Sequence, residues 1–319
     1  MGRAEPIMVR LELLLELNYG ITGPAGAEFV FNIHAAQTPH QTIVEEQLTI
    51  DPPLPYEIAT DPVNGMRVMR LRSDAGPLML RYEATLDLGH HRADPSMLSQ
   101  VEVRWLPLEV LPFLYPSRYC QSDRLLNLAF REFGAVPAGY ARVLAIQQWV
   151  QSHVEFRSNV SNSNTSAVDT LIEGVGVCRD MAHLMIALCR AMNIPARMAT
   201  GTDYGAPLSL GPQDFHAYAE VYLGDRWYLV DPSGTGIPMG FMRFGTGRDA
   251  ADVAFATIFG GVAGGPPVIN VRAVEGPGLE VPLLCRDALS TAGGAPILAA
   301  AAVSARMAEG AGFEPAVGY

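Results

Sequence analysis

The sequence has no apolar run of about 20 residues, the length a membrane-spanning helix needs. The longest candidates, near 253–265 and 295–303, fall short. Basic residues are also scarce: 22 Lys and Arg stand against 33 Asp and Glu, for a net charge of −11. With no Lys/Arg cluster to offset it, such a surface repels phosphate backbones and excludes nucleic acid as a partner. Charged residues make up only 17% of the chain against 49% hydrophobic, which argues against wholesale disorder. Four cysteines are present, Cys120, Cys178, Cys189 and Cys285, and none forms a CxxC pair. In a reducing compartment they are free thiols. Glu12 and Glu16 interrupt the N-terminal apolar stretch, so it does not read as a secretion signal. The expectation is a cytoplasmic chain with no membrane association. No clustered carboxylate loop suits calcium, and neither a metal nor a cofactor is expected.

What is present divides into three texturally distinct parts. Residues 1–112 carry short extended segments at 9–17, 29–34, 41–50, 66–72 and 78–88. Gly23-Pro24, Pro52-Pro53 and Asn64-Gly65 punctuate them. That rhythm predicts an antiparallel β-sandwich, with His90-His91 as a solvated pair beside a loop. Residues 113–275 read differently. Helical spacing covers 122–133, 140–153 and 177–192, with a short turn at 167–172. Strands follow at 215–223 and 226–231, a helix at 249–259 and a strand at 268–274. Residues 276–319 form a tail whose order the sequence does not decide. Overall the class is α+β.

Cys178 stands at the start of the helix 177–192, whose apolar stripe is Met181, Leu184, Met185, Leu188 and Met192. A thiol there meets the positive end of the helix dipole and free backbone N–H groups, which favour the thiolate. Gly174 and Gly176 leave room for a substrate backbone to approach. Asp180 would oppose a thiolate at close range unless a cation such as Arg179 pairs with it. Cys189 lies 11 positions further on, about 16 Å along a helix, too far to share a metal ion with Cys178.

The segment Phe215-His216 through Asp231 reads as a hairpin closed by Gly224-Asp225. That turn pairs Leu223 with Arg226 and therefore Tyr218 with Asp231. His216 and Asp231 become diagonal neighbours on one face, within reach of each other. A one-residue slip would separate them. A thiol, an imidazole and a carboxylate in this relation form a nucleophile, its base and the group that orients the base. Trp227 and Tyr218 are candidates to line the site on the His216 face. Gln147, Gln148, Asn162 and Asn164 are candidate oxyanion side chains.

At this point the residues resemble a known family. Gly174-Val175-Gly176-Val177-Cys178-Arg179-Asp180, Asp214-Phe215-His216-Ala217-Tyr218 and Trp227-Tyr228-Leu229-Val230-Asp231-Pro232 are similar to the three core motifs of bacterial transglutaminase-like proteins. The segments 116–120 and 247–253 also look like parts of that group, and the likeness covers roughly residues 1–275. The resemblance implies a papain-like core, with a nucleophile helix against an antiparallel sheet. It implies thiol acyl transfer on a peptide or glutamine carboxamide, with Cys178, His216 and Asp231 as the triad. The competing expectation is a catalytically silent scaffold of the same fold.

Overall fold

The computed structural model describes residues 8–205, 209 and 212–293. The expected helix or disorder over 295–308 lies outside them.

Seven strands open the chain: β1 (Val9–Ile21), β2 (Ala27–Phe31), β3 (Gln41–Asp51), β4 (Tyr56–Thr60), β5 (Arg67–Ser73), β6 (Gly76–Leu88) and β7 (His91–Ala93). Strict alternation shapes the longest two. In β1, Val9, Leu11, Leu13, Leu15 and Leu17 point inward, and in β6 so do Leu78, Leu80, Tyr82, Leu86 and Leu88. They meet Phe29, Phe31, Met69 and Leu71 of the second sheet in one core. On the outer face Arg10 lies opposite Asp87 and bonds it at 2.6 and 2.8 Å.

The chain then builds a helical layer of α1 (Leu126–Phe133), α2 (Tyr140–His153), the short β8 (Glu155–Phe156), α3 (Ala167–Glu173), β9 (Val175–Gly176) and α4 (Cys178–Ala191). A second sheet region follows: β10 (Ala196–Asp203), β11 (Phe215–Leu223), β12 (Arg226–Val230) and β13 (Phe241–Gly247), in the antiparallel order β12-β11-β10-β13. Helix α4 packs on the face of this sheet that carries Ala217, Ala219, Val221, Tyr228 and Val230. From Asp180 to Ala191 every side chain is buried, so α4 is enclosed on all sides instead of along one stripe. Arg190 near its end donates to the carbonyls of Ala196, Tyr115 and Arg248 and to Ser117 Oγ. Those bonds tie the segments around Ser117 and Arg248 to α4.

The last elements are α5 (Ala250–Val253), β14 (Ala256–Phe259), β15 (Val262–Gly264), β16 (Val268–Val274) and β17 (Ala288–Ser290). The helix expected over 249–259 is therefore cut to one turn. Asp249 caps that turn through Ala251 N, and the chain straightens at Ala256 to pair with β2. Strands β15 and β16 pair with β1. The sandwich is thus completed by residues 256–274, which the sequence grouped with the catalytic part. His90 also departs from expectation. Burial lowers its pKa to about 4, and both ring nitrogens are buried without a partner.

A buried ion cluster locks the outer face of the four-stranded sheet. Glu220 accepts from Arg197 Nε at 2.7 Å and Arg243 Nη2 at 2.5 Å, and all three are buried. Arg197 also lies 4.2 Å over the Trp227 ring. Replacing Glu220 by Ala strands two buried cations. The expected loss is about 3–5 kcal/mol of unfolding free energy, measured by urea denaturation followed by circular dichroism.

Candidate active site

The start of α4 is set by charge pairing. Asp180 Oδ2 turns back to accept the Val177 N–H at 3.0 Å, while Asp180 Oδ1 takes Arg179 Nη2 at 2.7 Å. The first-turn acid is thereby neutralised beside the thiol. Gly176 serves this packing: a Cβ there would stand 2.9 Å from Asp180 Cβ. It is buried and makes room for Asp180, which corrects the expectation that it faces substrate.

Cys178 is partly exposed, and its Sγ–H points to the Phe215 carbonyl at 4.0 Å. Burial pushes the thiol pKa up to about 12. The charges of Asp231 and Asp214 push the same way, while the N–H groups of Ala217 and Arg179 pull it down. Desolvation of the sulfur therefore outweighs the helix N-terminus in the resting state, contrary to the thiolate-favouring setting inferred from sequence.

The hairpin has the expected register. Gly224 adopts φ +60°, Leu223 lies opposite Arg226, and Ala219 lies opposite Val230. His216 Nε2 and Asp231 Oδ1 meet at 3.5 Å, both buried. Asp231 is itself fixed from behind. Oδ1 accepts Ser233 N at 2.9 Å and Ser233 Oγ at 2.6 Å, and Oδ2 accepts Gly236 N at 2.7 Å. Gln147 Nε2 holds the Asp231 carbonyl at 2.7 Å, which removes Gln147 from the oxyanion candidates. Burial disfavours the His216 imidazolium. The bond and charge of Asp231, with the charges of Asp203 and Asp214, overcome that and raise its pKa. Burial likewise works against the Asp231 carboxylate, but His216, Ser233 and Gly236 N–H hold its pKa below the ordinary range.

A second carboxylate backs this pair. Tyr218 Oη donates to Asp203 Oδ2 at 2.5 Å, and Asp203 Oδ1 accepts the N–H groups of Gly205 and Ile237. The Tyr218 ring stands edge-on to His216 at 4.9 Å. Tyr218 is fully buried, so it packs behind the imidazole and does not line the cleft. A Cβ on Gly236 would lie 2.3 Å from Tyr218 Oη, so only glycine fits between the two carboxylates there. Asp203 was not legible because the sheet order, not the local sequence, brings β10 beside β11.

Trp227 is the clearest correction. It shares a sheet face with His216 but pairs with Tyr222, several residues along the strand. It packs on Phe113 and Tyr222 in a separate cluster. A shared face did not imply proximity.

Cys178 and His216 line one cleft of about 580 Å³. One wall is polar, with Ser158, Asn159, Ser161 and Ser163; the other is apolar, with Phe215, Val253 and Phe255. Asn159 lines the cleft, whereas Asn162 and Asn164 bond within their own loop. Gln148 is exposed on α2 and does not line the cleft. Asn32 reaches the cleft from the sandwich. Among the described residues, no group of three or more His, Cys, Asp or Glu side chains is placed to hold a metal ion, and no helix is long and apolar enough to cross a membrane.

A thiol at a helix start, an imidazole on an adjacent strand and a preceding β-sandwich define an α+β protein with a papain-like core. The Transglutaminase-like superfamily profile matches residues 128–232, and the Bacterial transglutaminase N-terminal domain profile matches residues 9–109. A solved structure of a candidate cysteine protease from Cytophaga hutchinsonii is 37% identical, with a TM-score of 0.82. The match covers 89% of this chain and 97% of that one. An uncharacterised protein of Mycobacterium leprae is 28% identical over 116 residues, and one of Mycobacterium tuberculosis is 30% identical over 109. These matches cover 35% and 31% of this chain but only 42% and 35% of the mycobacterial proteins, less than half of their length. The chain belongs to the transglutaminase-like superfamily.

The His216–Asp231 pair has a defined pH signature. A raised imidazole pKa contributes stability that is whole below its ordinary 6.5 and is lost as pH rises through the folded value. A depressed Asp231 contributes stability above its ordinary 3.8, lost as pH falls through its folded value. In an NMR titration, His216 should have a midpoint above 6.5 that drops in Asp231→Asn. An unchanged midpoint in the variant would refute the pairing.

Proposed function

We propose that the protein performs thiol-dependent acyl transfer on carboxamides of peptides or proteins, with Cys178 as nucleophile, His216 as acid and base, and Asp231 orienting His216. One observation carries the reading. A helix-initial thiol shares a cleft with an imidazole whose Nε2 is held by a buried carboxylate. With Nε2 engaged, Nδ1 is the nitrogen left for the thiol.

In the first step His216 takes the Sγ proton as sulfur bonds to the carbonyl carbon. The developing oxyanion is received by the Cys178 N–H, a first-turn donor with no acceptor inside its helix. The C–N bond breaks, His216 returns the proton to the departing amine, and a thioester remains on Cys178. Water or a primary amine then gives its proton to His216 as it bonds to the thioester carbon, the C–S bond breaks, and His216 returns that proton to the departing sulfur to restore the thiol. Because the resting thiol is held protonated, proton removal falls to His216 at the moment of attack.

That same raised pKa is the observation favouring the second reading, a silent scaffold. The two differ in a direct assay. The chain is incubated with glutamine-containing peptides, with and without a primary amine, and the products are weighed by mass spectrometry. Ammonia loss, amine incorporation or backbone cleavage is expected. Cys178→Ser should lower the rate by about 10⁴-fold or more and Asp231→Asn by on the order of 10³–10⁴-fold. Product formation that survives Cys178→Ser unchanged, or no product from any peptide, would favour the scaffold.

A further inference from the structure

The apolar wall of the cleft is built by two parts of the chain working together. Phe255 is 39% exposed and stacks on Phe215 with ring centroids 4.3 Å apart and planes 12° apart. The Phe215 carbonyl faces the Cys178 sulfur, and this aromatic shelf lines the same cleft as that sulfur. Phe244 closes its base edge-on, 6.2 Å from Phe215. The sandwich holds the shelf in place. Asn32 N donates to the Phe255 carbonyl at 3.0 Å, and Asn32 Nδ2 donates to the Ala254 carbonyl at 2.8 Å. The next residues enter β14 and pair with β2.

The wall also carries unused polar capacity. Asn32 is 7% exposed, and its Oδ1 is a buried acceptor without a partner. Thr200 Oγ1, on another lining residue, is likewise buried and unpartnered. Buried polar atoms are nearly always paired, so these two orphans leave unused hydrogen-bonding capacity in residues of the cleft wall. Charge narrows the class of occupant. Besides His216, Arg179 is the cation among the described lining residues, and it is already engaged by Asp180, Ser161 and the Asn162 carbonyl. Asp214 lines the same cleft, so an acidic side chain would meet repulsion with no unpaired partner.

We infer that Phe255 and Phe215 form a specificity subsite for a bulky apolar or aromatic side chain next to the attacked carboxamide, and that the β-sandwich positions this subsite through Asn32. The inference rests on the thiol reading of Cys178 and adds the substrate class. The occupant is a peptide segment, because a shelf flanked by hydrogen-bonding atoms suits a side chain carried on a backbone.

The test uses the full chain and two peptidyl chloromethyl ketones that differ only in the adjacent residue, phenylalanine or glutamate. Alkylation joins Cys178 Sγ to the methylene carbon as chloride leaves, and iodoacetamide serves as the small reference electrophile. Rates at Cys178 are read by peptide mapping. The phenylalanine reagent should exceed the glutamate reagent by about tenfold or more, the discrimination expected of a hydrophobic pocket. Phe255→Ala should collapse that ratio toward one, and Phe255→Leu should restore part of it. Equal rates with both reagents, while iodoacetamide labels Cys178, would overturn the subsite and leave the thiol reading standing. Failure of all three reagents at Cys178 would overturn both.

Discussion

Everything at this site hangs on the turn that sets β11 against β12. Gly224 at φ +60° makes the two-residue connection possible, and the connection fixes which side chain faces which. His216 and Asp231 then share a face at one end of the hairpin, while Ala217, Ala219 and Val230 supply the apolar face on which α4 lies. One register therefore aligns the imidazole with its carboxylate and seats the helix that begins with the thiol. A slip by a single residue would exchange the two faces and destroy both relations at once.

Desolvation is the second organising force. Burial works against both charged forms, yet the pair holds the His216 pKa up and the Asp231 pKa down, because each carboxylate oxygen of Asp231 has donors beyond the imidazole. Buried charge survives where such bonds replace water. Asp203 one strand over shows the limit: Tyr218 Oη and two backbone N–H groups bond it, yet burial still raises its pKa. At the thiol, the N–H groups of Ala217 and Arg179 likewise do not offset burial, and the pKa rises. Asp231 thus makes the imidazole a stronger base for the sulfur proton, while burial keeps that proton on the thiol until attack.

Much of this was legible in the chain itself. Extended segments punctuated by Gly and Pro pairs marked the strands of the sandwich, and Gly224-Asp225 marked the hairpin register. The helix-starting cysteine was plain from the glycines before it and the apolar run after it. The return of β14–β16 was hidden, because strand pairing between residues some 250 apart has no local signature. Trp227 misled because a strand face is long: same-face residues several positions apart do not touch. Gly176 misled because the space it creates is filled by Asp180 from its own helix. Asp203 carried no local mark; only the sheet order brings it to Tyr218, the ring beside the imidazole.

The most direct test of the account is acid-quenched intact-mass spectrometry of the protein mixed with an activated peptide ester. A transient mass increase equal to the acyl group, mapped to Cys178 and sensitive to neutral hydroxylamine, is the predicted result. Turnover of the ester with no adduct on Cys178 at any quench time would contradict it.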